Sequence, residues 1–117
     1  GDVVLKEMTG LFRKSFRTGV DLIGRYGGEE FVMLLPDTPG DGAMIMAERL
    51  RQKVEAHEFG GGKVRMTISG GIATFPEDGV TYNRLIEQAD IYLYKAKRTG
   101  RNKICTLENS EDQFVAV

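Results

Sequence analysis

Apolar residues recur along this chain at two spacings, and each spacing predicts one type of element. Steps of three and four residues, the period of one helix face, occur in three stretches. The apolar positions of these stretches are Leu5, Met8, Phe12 and Phe16, then Ala43, Met46 or Ala47, Leu50 and Val54, and finally Leu85, Ala89, Leu93 and Ala96. Asp2 suits the start of the first helix, Thr81 suits the cap of the third, and Gly100 suits its end.

Shorter apolar segments between these stretches are typical of strands. Leu22 to Tyr26 and Phe31 to Leu35 flank a Gly-Gly-Glu-Glu centre, which favours a tight β-hairpin because glycine adopts positive φ without steric cost. Val64 to Thr74 alternates apolar and polar residues, and Asn102 to Leu107 is a last short strand. The predicted order is α-β-β-α-β-α-β, which indicates an α+β fold with a mainly antiparallel sheet and helices packed on it.

Composition limits the class of protein. The 117 residues, 41% of them apolar, predict one domain with a modest core; we place it at residues 1–107, followed by a polar, acidic tail at 108–117. A formal net charge of -1 gives no whole-chain argument for nucleic acid or an anionic membrane surface, and no apolar run is long enough to span a bilayer. Cys105 has no disulfide partner and is expected in the core, and His57 has no second histidine for a common metal site.

Two adjacent carboxylates, Glu29 and Glu30, are the main candidate for chemistry. They repel each other at the hairpin tip unless a cation neutralises them. A hard divalent ion suits such oxygen ligands, and Mg²⁺ at such sites usually also holds substrate phosphates. Gly27 and Gly28 would let a bulky substrate approach the backbone. Taken alone, however, these four residues are explained at least as well by a solvated polar turn.

A second concentration of charge follows the third helix, from Lys95 to Lys103. Without the hairpin, a solvated basic helix end that the helix dipole favours is the preferred interpretation. No aromatic platform accompanies the charge, so we predict no nucleic-acid partner. Gly60 to Lys63 resembles a phosphate loop only superficially, because it lacks the spaced first glycine and the Ser or Thr after the lysine.

Four landmarks stand in an order and at spacings that resemble those of one family. They are Gly1-Asp2, then Arg25 to Phe31, then Thr67 to Ala73, and finally Ala89-Asp90, Tyr94 and Lys95 to Asn102. Together they resemble the GGDEF family, the diguanylate cyclases, in a form with Glu in place of Asp. The resemblance implies a palm-like sheet related to nucleotide cyclases (ferredoxin-like). It also implies condensation of two GTP molecules into cyclic di-GMP and two pyrophosphates.

The resemblance also implies roles for the hairpin residues. Glu29 matches a metal ligand and the candidate base for the 3′-hydroxyl, and Glu30 matches a ligand of a second metal or a structural residue. Gly27 and Gly28 make room for the nucleotide. Asp2 matches the residue that reads the guanine edge. The implied cofactor is Mg²⁺ or Mn²⁺, and catalysis requires a second copy of the domain because each copy holds one GTP.

Four further residues take implied roles. Lys97 and Arg101 match the cations that hold the GTP phosphates, and beside the hairpin we prefer this role to a solvated helix end. Asp21 stands where many family members carry the Asp of an Arg-x-x-Asp product-inhibition site. The arginine is one place early, at Arg17, so a structural pair of a helix-end arginine and a turn aspartate is an equal alternative to an inhibitory site.

The family opens with a strand that carries a metal-binding Asp, and none of these 117 residues matches that strand. We therefore expect an N-terminally truncated domain that is weakly active or inactive by itself. The alternative function is a non-catalytic module that senses GTP or cyclic di-GMP. An upstream regulatory domain, a cytoplasmic location and no direct membrane contact are the remaining expectations.

Overall fold

The structure is a computed structural model that describes residues 2–17, 21–27 and 30–107; at residue 2 and at residues 22–27 and 30 it describes the backbone alone. The elements follow the predicted order. They are α1 (Asp2–Ser15), β1 (Leu22–Gly27), β2 (Glu30–Leu34), α2 (Gly40–Ala56), β3 (Gly70–Gly71), α3 (Tyr82–Arg98) and β4 (Ile104–Cys105). None of the described helices is both long and apolar enough to cross a membrane.

The strands form two separate pairs. β1 and β2 form an antiparallel pair, whereas β3 and β4 form a parallel pair. The α+β class is confirmed, and the strand pairs of the described residues are small. The predicted strand from Val64 to Thr74 is shorter than expected, because β4 provides partners only for Gly70 and Gly71, apart from one bridge between Phe59 and Val64. Residues 65–69 find no strand partner within the described ranges, which explains why their alternating pattern does not produce a strand.

The main core lies between α1, α2 and the segment that follows α2. Its buried side chains come from the predicted apolar helix faces together with one aromatic residue after α2, and they are Met8, Phe12, Phe16, Leu50, Val54 and Phe59. His57 caps the C-terminal end of α2, and its Nε2 atom lies 2.9 Å from Oε2 of Glu7, so the imidazole joins α2 to α1. His57 therefore has a structural role, as the C-cap of α2 and as a contact between the two helices.

A second, smaller core joins α3 to β4. Its buried members are Tyr92, Ala96 and Cys105, and Cys105 is only 2% exposed. Burial raises the pKa of the Cys105 thiol, as expected for a packed residue that is not a nucleophile. The predicted start of α3 is also confirmed, because Oγ1 of Thr81 accepts a hydrogen bond from the backbone N–H of Arg84 at 3.1 Å.

Candidate active site

The candidate site starts at the hairpin of β1 and β2. After an irregularity near the end of β1, Gly27 pairs with Glu30. Gly28 and Glu29 join these two residues along the chain and lie outside the described residues, as does the side chain of Glu30. The predicted hairpin is therefore confirmed, and the roles of all four residues stay predictions.

The chemistry of the hairpin residues fits a divalent metal. Glu29 and Glu30 offer carboxylate oxygens, the hard ligands that Mg²⁺ and Mn²⁺ prefer. Across residues 2–17, 21–27 and 30–107, no group of three or more His, Cys, Asp or Glu side chains could hold a metal. Within that part of the chain, no other cluster competes with the hairpin for this function.

A cavity of about 1110 Å³ separates the hairpin from α3. Apolar side chains of α1, β2 and α3 form much of its lining, together with residues 66–75. Leu85, Ala89 and Leu93, which were predicted to face inward from α3, line this cavity and are partly exposed. Lys97 and Arg101 lie in the same lining. The fold thus brings both predicted phosphate-binding cations to the cavity that β2 borders.

The chain leaves α3 through a turn that carries Arg101. Gly100, Arg101 and Asn102 have φ angles of 119°, 61° and 49°, so three consecutive residues adopt positive φ. The backbone N–H of Arg101 donates to the carbonyl of Ala96 at 2.9 Å. Lys97 lies on the last turn of α3, four residues before Arg101. Both cations are exposed at the cavity edge, as a phosphate-binding role requires.

Asp2 is the first residue of α1. Its side chain is not among those that the structure describes, so its contact with a guanine base stays a prediction.

Arg17 and Asp21 form an ion pair at the base of the hairpin, and the Asp21 side chain is fully buried. Arg17 donates from Nη2 and Nε to Oδ1 of Asp21 at 2.7 and 3.1 Å. The same Nη2 also donates to the carbonyl of Pro36 at 2.9 Å and to Oγ1 of Thr38 at 2.6 Å. These contacts connect the chain before β1 to the chain after β2. They support the structural alternative for the pair, whereas product binding there stays a prediction.

The ion pair should appear in the pH dependence of stability. The hydrogen bond from Arg17 holds the pKa of Asp21 below its usual range. A lowered folded-state pKa stabilises the fold fully above the unfolded value of about 4, and this contribution is lost as the pH falls through the folded-state pKa. We expect Asp21→Asn to lower the Tm at pH 7 by roughly 5 °C and to flatten this part of the acid dependence.

Thermal unfolding at pH values from 7 to 3 measures this effect. Glu77→Gln is the matched control, since Glu77 is an exposed acid in the turn after residue 74, outside the helices and strands. The control should keep the stability and acid dependence of the unaltered chain. Equal acid slopes for the unaltered chain and Asp21→Asn would contradict the assigned role of the pair.

We call residues 100–102, through which the chain leaves α3, the exit turn. The sequence did not predict the polar network that lies behind this turn. Arg51 donates from Nε to Oε1 of Glu48 at 3.0 Å and from Nη1 to Oδ1 of Asn102 at 2.9 Å. Asn102 in turn donates from Nδ2 to Oε2 of Glu55 at 2.7 Å. The spacing of Glu48, Arg51 and Glu55 on one helix predicts ion pairs between them. Nothing in that spacing points to Asn102, which is far away in sequence.

Comparison with known proteins agrees with this geometry. The model of a family described as "Diguanylate cyclase, GGDEF domain" matches residues 1–103. Diguanylate cyclase A of Treponema denticola is 38% identical over 112 residues, which are 94% of this chain and 30% of that protein. Diguanylate cyclase DgcP of Pseudomonas aeruginosa is 42% identical over 106 residues, which are 89% of this chain and 16% of that protein. The chain thus spans less than a third of either relative.

A solved structure supports the same assignment. The active GGEEF domain of a diguanylate cyclase from Vibrio cholerae superposes with a TM-score of 0.79 and 31% identity, covering 90% of this chain and 67% of that one. The palm-like α+β architecture is therefore the fold of this chain. Together with the family match over residues 1–103, these similarities show that the chain belongs to the GGDEF family of diguanylate cyclases.

Proposed function

We propose that this chain is the catalytic domain of a diguanylate cyclase that condenses two GTP molecules into cyclic di-GMP and two pyrophosphates. One observation carries the proposal: Lys97, Arg101 and β2, the strand that begins at Glu30, border a single cavity. Relatives named diguanylate cyclases support the same reaction.

The proposed site residues have different roles in phosphoryl transfer. Lys97 and Arg101 hold the phosphates of GTP through charge-assisted hydrogen bonds. Glu29 takes the proton of the attacking 3′-hydroxyl, and Glu30 supports the hairpin tip. Bound Mg²⁺ or Mn²⁺, held by the two glutamates, would neutralise phosphate charge and favour ionisation of the hydroxyl. Asp2 accepts from the N–H donors of the guanine edge.

The reaction requires two copies of the domain, because each copy holds one GTP and the two nucleotides must meet. Positioning of the two reacting groups contributes a large part of the rate enhancement in such reactions. A face-to-face homodimer is therefore the catalytic unit of the proposal. An upstream domain that controls this encounter, and a cytoplasmic location where GTP is present, complete it. Arg17 and Asp21 belong to this proposal as structural residues, with product inhibition as the alternative.

We also propose that the catalytic unit requires a further β-strand in addition to those that the described residues form. Domain residues 1–107 leave a wide cavity between β2 and residues 66–69, and those residues have no strand partner within the described ranges. A strand between them would pair with both edges and close the cavity floor. We therefore expect the 117-residue chain, whose tail is residues 108–117, to be weakly active or inactive.

The test is a measurement of cyclic di-GMP formation from GTP with Mg²⁺. It compares this chain with a longer version that is extended upstream by about one strand and one helix. Formation of product by the longer version alone supports the proposal. Robust turnover by the 117-residue chain contradicts the expected weak activity, while GTP binding without product in both versions favours a sensor module instead.

A further inference from the structure

The exit turn of α3 places a phosphate-binding candidate in a strained backbone. Arg101 has a φ of 61°, a conformation that costs a residue with a Cβ roughly 1–2 kcal/mol. Gly100, at 119°, adopts positive φ freely, and asparagine at position 102, at 49°, tolerates it better than most residues. Strain of this kind persists only where surrounding contacts hold it, and it is frequent at functional sites.

The contacts that hold this turn converge on Asn102. Its backbone N–H donates to Oγ of Ser69 at 3.1 Å, next to β3. Its side-chain Oδ1 accepts from Nη1 of Arg51 at 2.9 Å, and its Nδ2 donates to Oε2 of Glu55 at 2.7 Å. One residue therefore ties the exit turn to two other parts of the fold. Both polar ends of its side-chain amide are used.

The helix side of this network is itself well supported. The side chain of Arg51 is 16% exposed and is also bound by Glu48 on the preceding turn of α2. The hydrogen bonds that Arg51 donates to the Glu48 carboxylate raise the pKa of Arg51, so the guanidinium stays charged. Leu50 and Val54, on the same helix, are buried in the main core. The core thus fixes the groups that hold Asn102.

We propose that Asn102 is a positioning residue for GTP binding. Through Arg51 and Glu55 of α2 it keeps the exit turn at positive φ, and this directs the neighbouring Arg101 toward the cavity. Without these contacts, the turn would relax toward commoner backbone angles and move the guanidinium away from the phosphates. The inference rests on the proposed function, since it assumes that Arg101 binds a phosphate.

A double-mutant cycle tests this coupling. The dissociation constant of GTP in the presence of Mg²⁺ is measured for the longer version of the domain and for its Arg101→Ala, Asn102→Ala and double variants. Loss of one charge-assisted hydrogen bond should weaken binding roughly tenfold in Arg101→Ala. We expect a several-fold loss in Asn102→Ala, and a double variant no weaker than Arg101→Ala, because a residue that acts through Arg101 has nothing left to position.

Arg98 supplies the matched control. It is an exposed cation on the last turn of α3 whose Nη1 donates to the Tyr94 hydroxyl at 2.7 Å, away from the Asn102 network. In an Arg98→Ala background, Asn102→Ala should still cause its full several-fold loss. Hydrogen exchange of the exit turn is a second readout, and Asn102→Ala should speed exchange at the Arg101 amide.

Each outcome decides one of the claims. Losses that add in the Arg101→Ala background overturn the positioning role of Asn102 and leave the proposed function intact. Unchanged binding in Arg101→Ala overturns the assumption on which the role rests. Absence of GTP binding by the longer version of the domain without substitutions overturns the proposed function and this inference together. If Asn102→Ala fails to fold, Glu55→Ala, which removes the acceptor of Asn102 Nδ2 on the exposed side of the network, replaces it in the same cycle.

Discussion

Replacing Gly71 with alanine is expected to destabilise the fold by more than about 3 kcal/mol, the upper range for overpacked sites. A Cβ at Gly71 would lie 2.2 Å from the carbonyl oxygen of Ala89 and 2.5 Å from the backbone nitrogen of Leu93. Both are backbone atoms of α3, so no side-chain rotation can relieve the clash. β3 and α3 would have to separate, which would disrupt the second core around Tyr92 and Cys105.

Urea unfolding followed by circular dichroism measures this loss of stability. The free energy of unfolding of a small domain is only about 5–15 kcal/mol. With a starting value at the lower end of this range, part of the Gly71→Ala protein should be unfolded even without urea. Gly10→Ala is the matched control, because a Cβ at this position of α1 meets nothing within 4 Å. It should stabilise the helix by about 0.5–1 kcal/mol. A Gly71→Ala protein as stable as the unaltered chain would show that β3 does not pack against α3 as described.

The Gly71 contact also shows where sequence reasoning ends. Two adjacent glycines, such as those at positions 70 and 71, are typical of a close backbone approach or a bulge, and the structure contains a close approach at Gly71. Which backbone approaches depends on a helix about 20 residues further along the chain. No local pattern identifies it, because packing between distant segments is decided by the whole fold.

Local signals did predict the elements well. The helical spacing of apolar residues predicted all three described helices, since amphipathic faces must be buried whatever their neighbours are. The hairpin was predictable because its turn residues and flanking runs lie next to each other in sequence. The strand at Val64 to Thr74 was overestimated, because alternation shows only that a segment suits a sheet and not that partners exist along its whole length.

The site was only partly predictable for the same reason. Resemblance to the family selected Lys97 and Arg101, and the structure shows that both border the cavity beside β2. The network of Arg51, Glu55 and Asn102 has no local signature, since its hydrogen bonds join residues 47 and 51 positions apart. Contacts of this kind arise from tertiary packing, and they decide how a motif residue is oriented.

Glu29→Gln is expected to abolish cyclic di-GMP synthesis and to leave GTP binding within a few-fold of the unaltered protein. Glutamine has nearly the size of glutamate but cannot take the proton of the 3′-hydroxyl, and loss of a general base costs about 10²- to 10⁴-fold. A weakened metal site adds to this loss. In the proposed function Lys97 and Arg101 hold the phosphates, so most of the binding energy for GTP should remain.

Two measurements on one preparation test whether synthesis is lost while GTP binding is kept. They are the rate of cyclic di-GMP formation by the longer version of the domain and its dissociation constant for GTP. Glu58→Gln is the control for loss of one negative charge, because Glu58 is exposed beyond the C-terminal end of α2. Synthesis that survives Glu29→Gln would remove Glu29 from the mechanism. Equal GTP binding by all proteins, with no synthesis by any of them, would favour the sensor function. A module that only binds GTP requires the cations at the end of α3, but it does not require a general base at the hairpin tip.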